Sequence, residues 1–199
     1  MAAPPRPRPP RHSPSITLHG VFLEVFGEGV LIVGQSGLGK SEVALELLAR
    51  GHRLIADDAV EFQAEGERLR GHCPPLLQDF LEARSLGVLN IRRLFGAKAL
   101  RSSAPLDLVI QLDALPLTTA SGLERLSGYR DEREILGLRV PEISIPIRLG
   151  HNLAVLVEAA CRDLKLRRRG YRADEDFSQR QLDAIRRSGR KKSQRKQPT

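Results

Sequence analysis

The eight residues Gly34–Ser41 constrain this chain more than any other stretch. Their sequence, GQSGLGKS, matches the pattern G-x-x-x-x-G-K-[ST] of phosphate-binding loops. The apolar run Val30–Val33 precedes the loop and predicts a buried strand, while residues 42–50 have the apolar spacing of one helical face. Glycines let the backbone approach an anion closely, and a helix N-terminus attracts negative charge. This order therefore predicts phosphate binding, against the simpler alternative of a glycine turn before an ordinary helix.

Each position of the loop has an expected role. The Lys40 ammonium would neutralise the outer phosphates, and the Ser41 hydroxyl would reach Mg²⁺. Backbone N–H groups along the loop would cradle the phosphates. The predicted nucleotide-binding residues are Gly34, Gln35, Ser36, Gly37, Leu38, Gly39, Lys40 and Ser41.

The net charge of +8 suggests nucleic-acid binding at first sight, but its distribution argues otherwise. Of the 32 lysines and arginines, three lie in residues 1–13 and seven in residues 186–199, and neither segment contains an acid. The remaining 22 basic residues face 24 acidic ones, which gives a net charge of −2 for residues 14–185. Because the basic character is confined to the tails, the charge of the folded body argues against nucleic acid as a partner.

The remaining bulk features predict a cytoplasmic protein with no membrane segment. Cys73 and Cys161 stand alone without paired spacing, which suits a reducing compartment and offers no zinc site. No apolar run has the length of a membrane span. The N-terminus is rich in proline and arginine and lacks the apolar segment of a signal peptide.

The element pattern predicts an α/β fold with a mixed sheet and flanking helices. Strands are expected at residues 16–18, 21–26, 53–58, 106–112 and 143–147, and long helices at residues 42–50 and 153–169. A short helix is expected at residues 76–83, a solvated charge run at 131–134 and a further helix at 171–185. We expect a disordered Pro/Arg-rich lead at residues 1–14, one catalytic domain at 15–185 and a disordered basic tail at 186–199.

Three carboxylates are candidates for chemistry beside the loop. Asp57 and Asp58 end the strand that begins at Arg53, and α/β folds place metal-binding acids at strand ends near a phosphate loop. Glu82 and Arg84 precede a glycine turn and form a plausible edge of the same site. The alternatives are an aspartate pair that caps the next element and a surface ion pair at a helix end.

Several runs in fixed order resemble the catalytic domain of the HPr kinase/phosphorylase family. They are His19-Gly20, the phosphate loop, RGHRLIADD at 50–58, EARSLGVLNI at 82–91 and PIRLGHNLA at 146–154. The resemblance covers about Ser15 to Tyr171. Full-length members carry a separate N-terminal domain for which this chain has no room, so it resembles the short form.

The resemblance implies a phosphate-loop fold similar to that of phosphoenolpyruvate carboxykinases. It also implies ATP- and Mg²⁺-dependent phosphorylation of a serine on the phosphocarrier protein HPr, the reverse phosphorolysis that yields pyrophosphate, and a homo-oligomer, commonly a hexamer. It assigns catalytic roles to His19, Lys40, Asp58 (the general base) and Arg125, and metal-binding roles to Ser41, Glu82 and Asp57.

Two residues depart from the family pattern. Ser85 replaces the usual glycine after Arg84, and His151 replaces the usual arginine in the stretch tied to dephosphorylation. A neutral imidazole binds phosphate less well than a guanidinium. We therefore predict that kinase activity is kept and phosphorylase activity is weak or absent.

Three other functions compete with this interpretation. The first is a related kinase that acts on another protein or a small molecule. The second is a non-catalytic regulator that binds ATP. The third is a nucleic-acid-binding protein that acts through its basic tail. The intact set of Lys40, Ser41, Asp57, Asp58 and Glu82 disfavours a pure regulator, because binding alone does not require a base. The negative body and the scarcity of aromatic residues disfavour nucleic-acid binding.

Overall fold

A computed structural model describes residues 14–114, 127–147 and 150–194; for residues 188–194 it describes the backbone alone. Within these ranges the chain forms twelve strands and four α-helices. The strands are β1 (Ser15–His19), β2 (Val21–Val25), β3 (Glu28–Gly34), β4 (Arg53–Ala56), β5 (Ala59–Glu65), β6 (Arg68–His72), β7 (Phe80–Ala83), β8 (Gly87–Asn90), β9 (Ser103–Pro105), β10 (Leu108–Asp113), β11 (Arg130–Ile135) and β12 (Leu138–Pro146). The helices are α1 (Lys40–Ala49), α2 (Ile91–Phe95), α3 (Leu153–Arg168) and α4 (Ala173–Gln194), with short 3₁₀ turns at Pro75–Leu77 and Ala97–Ala99.

A six-stranded mixed sheet in the order β11-β12-β10-β3-β2-β4 forms the centre of the molecule. Its middle strands β12, β10 and β3 are parallel, so their carboxyl ends meet at one edge, and the phosphate loop follows β3 at that edge. Strands β2, β4 and β11 pair antiparallel to their neighbours. This arrangement places the loop where α/β folds bind ligands.

Both faces of the central sheet are buried, which explains the continuous apolar runs of its strands. Val30 and Ile32 on one face pack in a core with α1 and α3. Leu31 and Val33 on the other face pack in a second core with the antiparallel sheet β1-β5-β6-β9. The fold is therefore a helix layer, a mixed sheet and a smaller antiparallel sheet, and it confirms the predicted α/β class.

Helix α1 confirms the amphipathic pattern read from the sequence. Its buried apolar residues are Val43, Ala44, Leu47 and Leu48, the positions expected to share one face. Gly39 precedes the helix with φ of 85° and Gly51 follows it with φ of 91°, a backbone region that glycine adopts without strain.

The predicted helix at residues 76–83 is wrong. A 3₁₀ turn at Pro75–Leu77 is followed by β7, which forms a two-stranded hairpin with β8. Asp79 has φ of 72°, a left-handed conformation that cannot continue a helix. The charge run at residues 131–134 is mostly exposed, as expected. It forms part of an edge strand, β11, and charged side chains are common on such edges.

The C-terminal boundary also differs from the expectation of a disordered tail from residue 186. Helix α4 continues through this basic segment to Gln194. Lysines and arginines near a helix C-terminus interact favourably with the helix dipole, which the compositional argument left out. The expected lead at 1–14 lies outside the described residues except for Pro14.

Candidate active site

The phosphate loop is closed by its own lysine. Lys40, the first residue of α1, is 9% exposed, and its Nζ donates to the carbonyl oxygens of Gly34 at 2.9 Å and Gln35 at 3.1 Å. These bonds hold the ammonium at the mouth of the loop. Leu38 points away from the mouth and packs against the core. Gly34 and Gln35 thus contribute carbonyl oxygens that hold Lys40. The loop residues that line the cleft are Ser36, Gly37, Gly39, Lys40 and Ser41.

The two adjacent aspartates sit in a tight turn between β4 and β5. The Ala59 amide donates to the Asp57 carbonyl oxygen at 2.8 Å, and Asp58 between them has φ of 66°. This is a strained conformation for a residue with a side chain. The turn directs the two carboxyl groups into different environments, because Asp57 is 7% exposed while the Asp58 side chain is 65% exposed.

The buried Asp57 carboxyl is held by the neighbouring hairpin. Its Oδ2 accepts a hydrogen bond from the Glu82 amide at 2.8 Å. Burial raises the pKa of Asp57, and the charges of Asp58 and Glu82 raise it further, while the backbone hydrogen bonds from Glu82 and Asp58 lower it; the net shift is upward. Asp57 is thus fixed in position at the base of the cleft, with its ionised form destabilised.

Asp58 is paired with a residue from the start of the chain. Nδ1 of His19 lies 2.9 Å from Oδ1 of Asp58. Strand β1 pairs antiparallel with β5 so that His19 lies opposite Ala59, and the Gly20 amide donates to the Asp58 carbonyl oxygen at 3.1 Å. The sheet register therefore brings the predicted histidine to the predicted base.

The sequence predicted Arg84 only as part of the edge of the site. In the structure its guanidinium lies directly over the phosphate loop. A Cβ atom built on Gly37 would lie 2.7 Å from one Arg84 guanidinium nitrogen. Glu42, in the first turn of α1, also borders the cleft and was missed. Glu42 could have been predicted as a cleft residue because it directly follows Ser41. The sequence held no information on the distance between Arg84 and the loop.

These groups surround one cleft of about 200 Å³. Its lining residues are His19, Gly20, Ser36, Gly37, Gly39, Lys40, Ser41, Glu42, Asp57, Asp58, Glu82 and Arg84. All the predicted catalytic and metal-binding residues meet there except Arg125, which lies outside the described residues. The cleft combines a phosphate loop, two cations and four carboxylates, the groups that phosphoryl transfer requires.

The donor set fits a metal that arrives with a nucleotide. Among the described residues, no group of three or more His, Cys, Asp or Glu side chains is arranged to hold a metal ion. Mg²⁺ is usually bound by one or two carboxylates together with waters and substrate phosphates, rather than by a cage of protein ligands. Ser41, Asp57 and Glu82 lining one cleft beside the loop suit that mode.

A model of the family described as HPr Serine kinase C-terminal domain matches residues 11–181 of this chain. The chain belongs to this family. Relatives named HPr kinase/phosphorylase from Xanthomonas campestris pv. campestris (strain B100) and Xanthomonas oryzae pv. oryzae (strain PXO99A) are each 54% identical to it over 161 residues. Each alignment covers 79% of this chain and 51% of the relative, so the chain spans about half the length of these relatives.

A solved structure agrees with this membership of the HPr Serine kinase C-terminal domain family. The Hpr(Ser) kinase/phosphatase from Coxiella burnetii superposes with a TM-score of 0.73 at 33% sequence identity. The match covers 81% of this chain and 98% of that one. The predicted family and fold class are therefore confirmed. None of the helices in the described part of the chain is long and apolar enough to cross a membrane.

Proposed function

We propose that this domain transfers the γ-phosphoryl group of ATP to a serine hydroxyl of the phosphocarrier protein HPr. The observation that carries the proposal is the exposed Asp58 carboxylate in the same cleft as the phosphate loop. A protein that only binds nucleotide has no use for a solvent-accessible carboxylate held by a histidine in a strained turn. The names of the 54% identical relatives support HPr as the substrate.

In the proposed reaction the serine oxygen attacks the γ-phosphorus while the bond to the ADP oxygen breaks. Asp58 accepts the serine proton, because its side chain is exposed at the cleft and oriented by His19. Lys40, released from the loop carbonyls, binds the outer phosphates, and the Arg84 guanidinium, which lies close to Gly37 of the loop, supplies a second positive charge there. Mg²⁺ would be held by Ser41, Glu82 and Asp57 and would neutralise charge on the phosphates.

The direct test incubates the protein with ATP, Mg²⁺ and a candidate HPr and measures the mass of HPr. We expect one added phosphate on a serine, and none on HPr in which that serine is replaced by alanine. Transfer to water or to a small molecule, with HPr unchanged, would favour the related-kinase alternative. Nucleotide binding without any transfer would favour the regulator.

The phosphorolytic direction is proposed to be weak. In that reaction an oxygen of inorganic phosphate attacks the phosphoserine phosphorus while the bond from that phosphorus to the serine oxygen breaks. Asp58 gives a proton to the departing serine oxygen, and pyrophosphate is the product. His151 does not line the cleft; it is exposed directly before Asn152, whose side chain donates to Glu46 at 2.6 Å. Glu46 is six residues beyond Lys40, about 9 Å along the helix axis. The imidazole is thus poorly placed for an incoming phosphate.

Ser85 gives no structural reason for lost activity. Of the described residues other than glycine, only Phe26, Asp58, Asp79 and Leu136 have positive φ, so the position of Ser85 does not require glycine. We therefore attribute the predicted weakness to His151. Pyrophosphate release from phosphorylated HPr and phosphate should be much slower than the kinase reaction. Equal forward and reverse rates in the unmodified protein would contradict this.

The family resemblance also supports a homo-oligomer, with a hexamer as the expected form, in the cytoplasm. Sedimentation equilibrium of the full chain would give the subunit number. A monomer with full HPr kinase activity would show that assembly is not needed for the reaction.

A further inference from the structure

One face of the hairpin formed by β7 and β8 continues the wall of the cleft. Successive residues of a strand point to opposite sides, so Leu81 and Ala83, which are buried in the core with α1, direct Glu82 to the other side. Glu82 lines the cleft, and its antiparallel partner is Val88. Directly opposite residues of such a pair share a face, with Cβ atoms about 4.5–5.5 Å apart. Val88 therefore adjoins the cleft.

The hairpin is apolar and exposed beside Glu82. Val88 is 67% exposed, and Phe80, two residues before Glu82 and so on the same side of β7, is 42% exposed. Leu86, in the turn between the two strands, is 67% exposed. We call Phe80, Leu86 and Val88 the hairpin patch. Single exposed apolar residues are common on proteins, but three on one hairpin beside a polar cleft indicate an interaction surface.

The turn of the hairpin holds the patch near the phosphates. The Leu86 amide donates to the Ala83 carbonyl oxygen at 2.9 Å, which closes a turn that contains Arg84. The Arg84 guanidinium lies over Gly37 of the phosphate loop. Glu82, on the adjoining strand, is proposed to hold Mg²⁺, which bridges the β- and γ-phosphates in phosphoryl transfer. The patch therefore lies at the end of the nucleotide from which the phosphoryl group leaves.

We infer that the hairpin patch is a docking surface for the acceptor protein and contacts apolar side chains that flank the acceptor serine. This inference rests on the proposed kinase function. The serine hydroxyl must come within hydrogen-bond reach of Asp58, so the surface of the acceptor around that serine lies against the rim of the cleft. The patch is part of this rim, and an apolar contact there also excludes water from the transfer.

Two other occupants of the patch make different predictions. The adenine ring is apolar, but it is attached beyond the α-phosphate, at the opposite end of the triphosphate from the transferred group. If adenine bound here, loss of the patch would raise KM for ATP. If a second copy of this chain covered the patch, loss of the patch would change the oligomeric state.

The test compares the full chain with the double variant Leu86→Ser with Val88→Thr. HPr phosphorylation is measured with HPr varied at saturating ATP, and with ATP varied at saturating HPr. We expect kcat/KM for HPr to fall at least about tenfold, because two apolar side chains no longer leave water when HPr binds. KM for ATP, kcat at saturating HPr and the sedimentation coefficient should be unchanged, as for the loss of a contact that only binds the substrate.

Two further double variants separate docking from a structural effect. Leu86→Met with Val88→Ile keeps the surface apolar and should retain the kcat/KM for HPr of the unmodified chain. The matched control is Leu166→Ser with Val155→Thr on α3, where the two residues are 43% and 44% exposed and do not line the cleft. This control should leave all the kinetic values unchanged.

Other outcomes would overturn the inference. If the unmodified chain phosphorylates HPr and Leu86→Ser with Val88→Thr has the same kcat/KM for HPr, the docking surface is wrong while the proposed function stands. A higher KM for ATP alone would assign the patch to adenine, and a changed sedimentation coefficient would assign it to a contact between copies of this chain. No transfer to HPr by the unmodified chain would overturn the proposed function, and this inference with it.

Discussion

Nδ1 of His19 lies 2.9 Å from Oδ1 of Asp58 because antiparallel pairing of β1 with β5 brings the two ends together. Both side chains are more than half exposed, so their attraction adds little to the stability of the fold. The contact with His19 is better explained by its effect on orientation, because it holds the Asp58 carboxylate toward the cleft.

Replacing Asp58 should remove the proton acceptor and keep the binding site. We expect Asp58→Asn to lower kcat about 10²- to 10⁴-fold, the usual contribution of a general base, with little change in ATP affinity. HPr phosphorylation and equilibrium nucleotide binding measure the two effects. Transfer at the normal rate by Asp58→Asn would show that another group takes the proton.

His19 is expected to act through Asp58. His19→Asn should lower kcat about tenfold with KM for ATP unchanged, since the carboxylate remains but loses its orientation. In the Asp58→Asn background the same change should have no further effect, because interacting residues are not additive. An equal loss in both backgrounds would mean that His19 acts independently of Asp58.

Arg84 should contribute to nucleotide binding, because its guanidinium lies over the loop at Gly37. We expect Arg84→Gln to raise KM for ATP about tenfold, which corresponds to about 1.4 kcal/mol. Arg93→Gln on the neighbouring helix α2 is the matched control, since Arg93 is exposed and does not line the cleft. Identical KM values for the two variants would exclude a phosphate contact by Arg84.

Asp57 should lower the stability of the fold while it supports function. Because burial raises its pKa, the folded protein binds the Asp57 proton at a higher pH than the unfolded chain does. The contribution of Asp57 to the free energy of unfolding therefore falls as the pH rises from its unfolded-state pKa to its folded-state pKa. Above the folded-state pKa the full cost of the buried charge is present. Asp57→Asn removes the buried charge and keeps an acceptor for the Glu82 amide.

We thus expect Asp57→Asn to raise Tm at neutral pH, by about 2–4 °C for each kcal/mol recovered, and to lose kinase activity. The gain should shrink as the pH falls through the raised folded-state pKa of Asp57 and should be lost below about 4, where the aspartate is protonated in both states. Thermal denaturation across this pH range measures it. A Tm gain that does not depend on pH would show that charge burial is not its cause.

The two cysteines should be unreactive in the folded protein. Burial raises the pKa of the Cys73 thiol to about 11 and that of Cys161 to about 12. Because only the thiolate reacts, alkylation by iodoacetamide at pH 8 should be at least about a hundredfold slower than in the unfolded chain. Peptide mass mapping over time gives both rates. Fast labelling of Cys73 in folded protein would mean that the β6 end opens readily.

The sequence predicted the elements whose structure depends on neighbouring residues. It did not predict the elements whose structure depends on tertiary contacts. Strand β3, the loop and α1 follow from an apolar run, glycines and helical spacing, all within a few residues of one another. The β7–β8 hairpin was missed because residues 76–83 have helix-compatible composition. Its identity depends on the pairing of Glu82 with Val88 and on the left-handed conformation of Asp79.

The sequence by itself determined the phosphate loop, the α/β class, the family and most of the residues of the cleft. Only the tertiary structure decided that two adjacent and chemically identical aspartates differ, with Asp57 buried under the Glu82 amide and Asp58 exposed beside His19. It also placed Arg84 over Gly37. The physical reason is that burial, charge neighbours and hydrogen bonds depend on sheet register and on chain segments far apart in sequence, which composition and spacing do not encode.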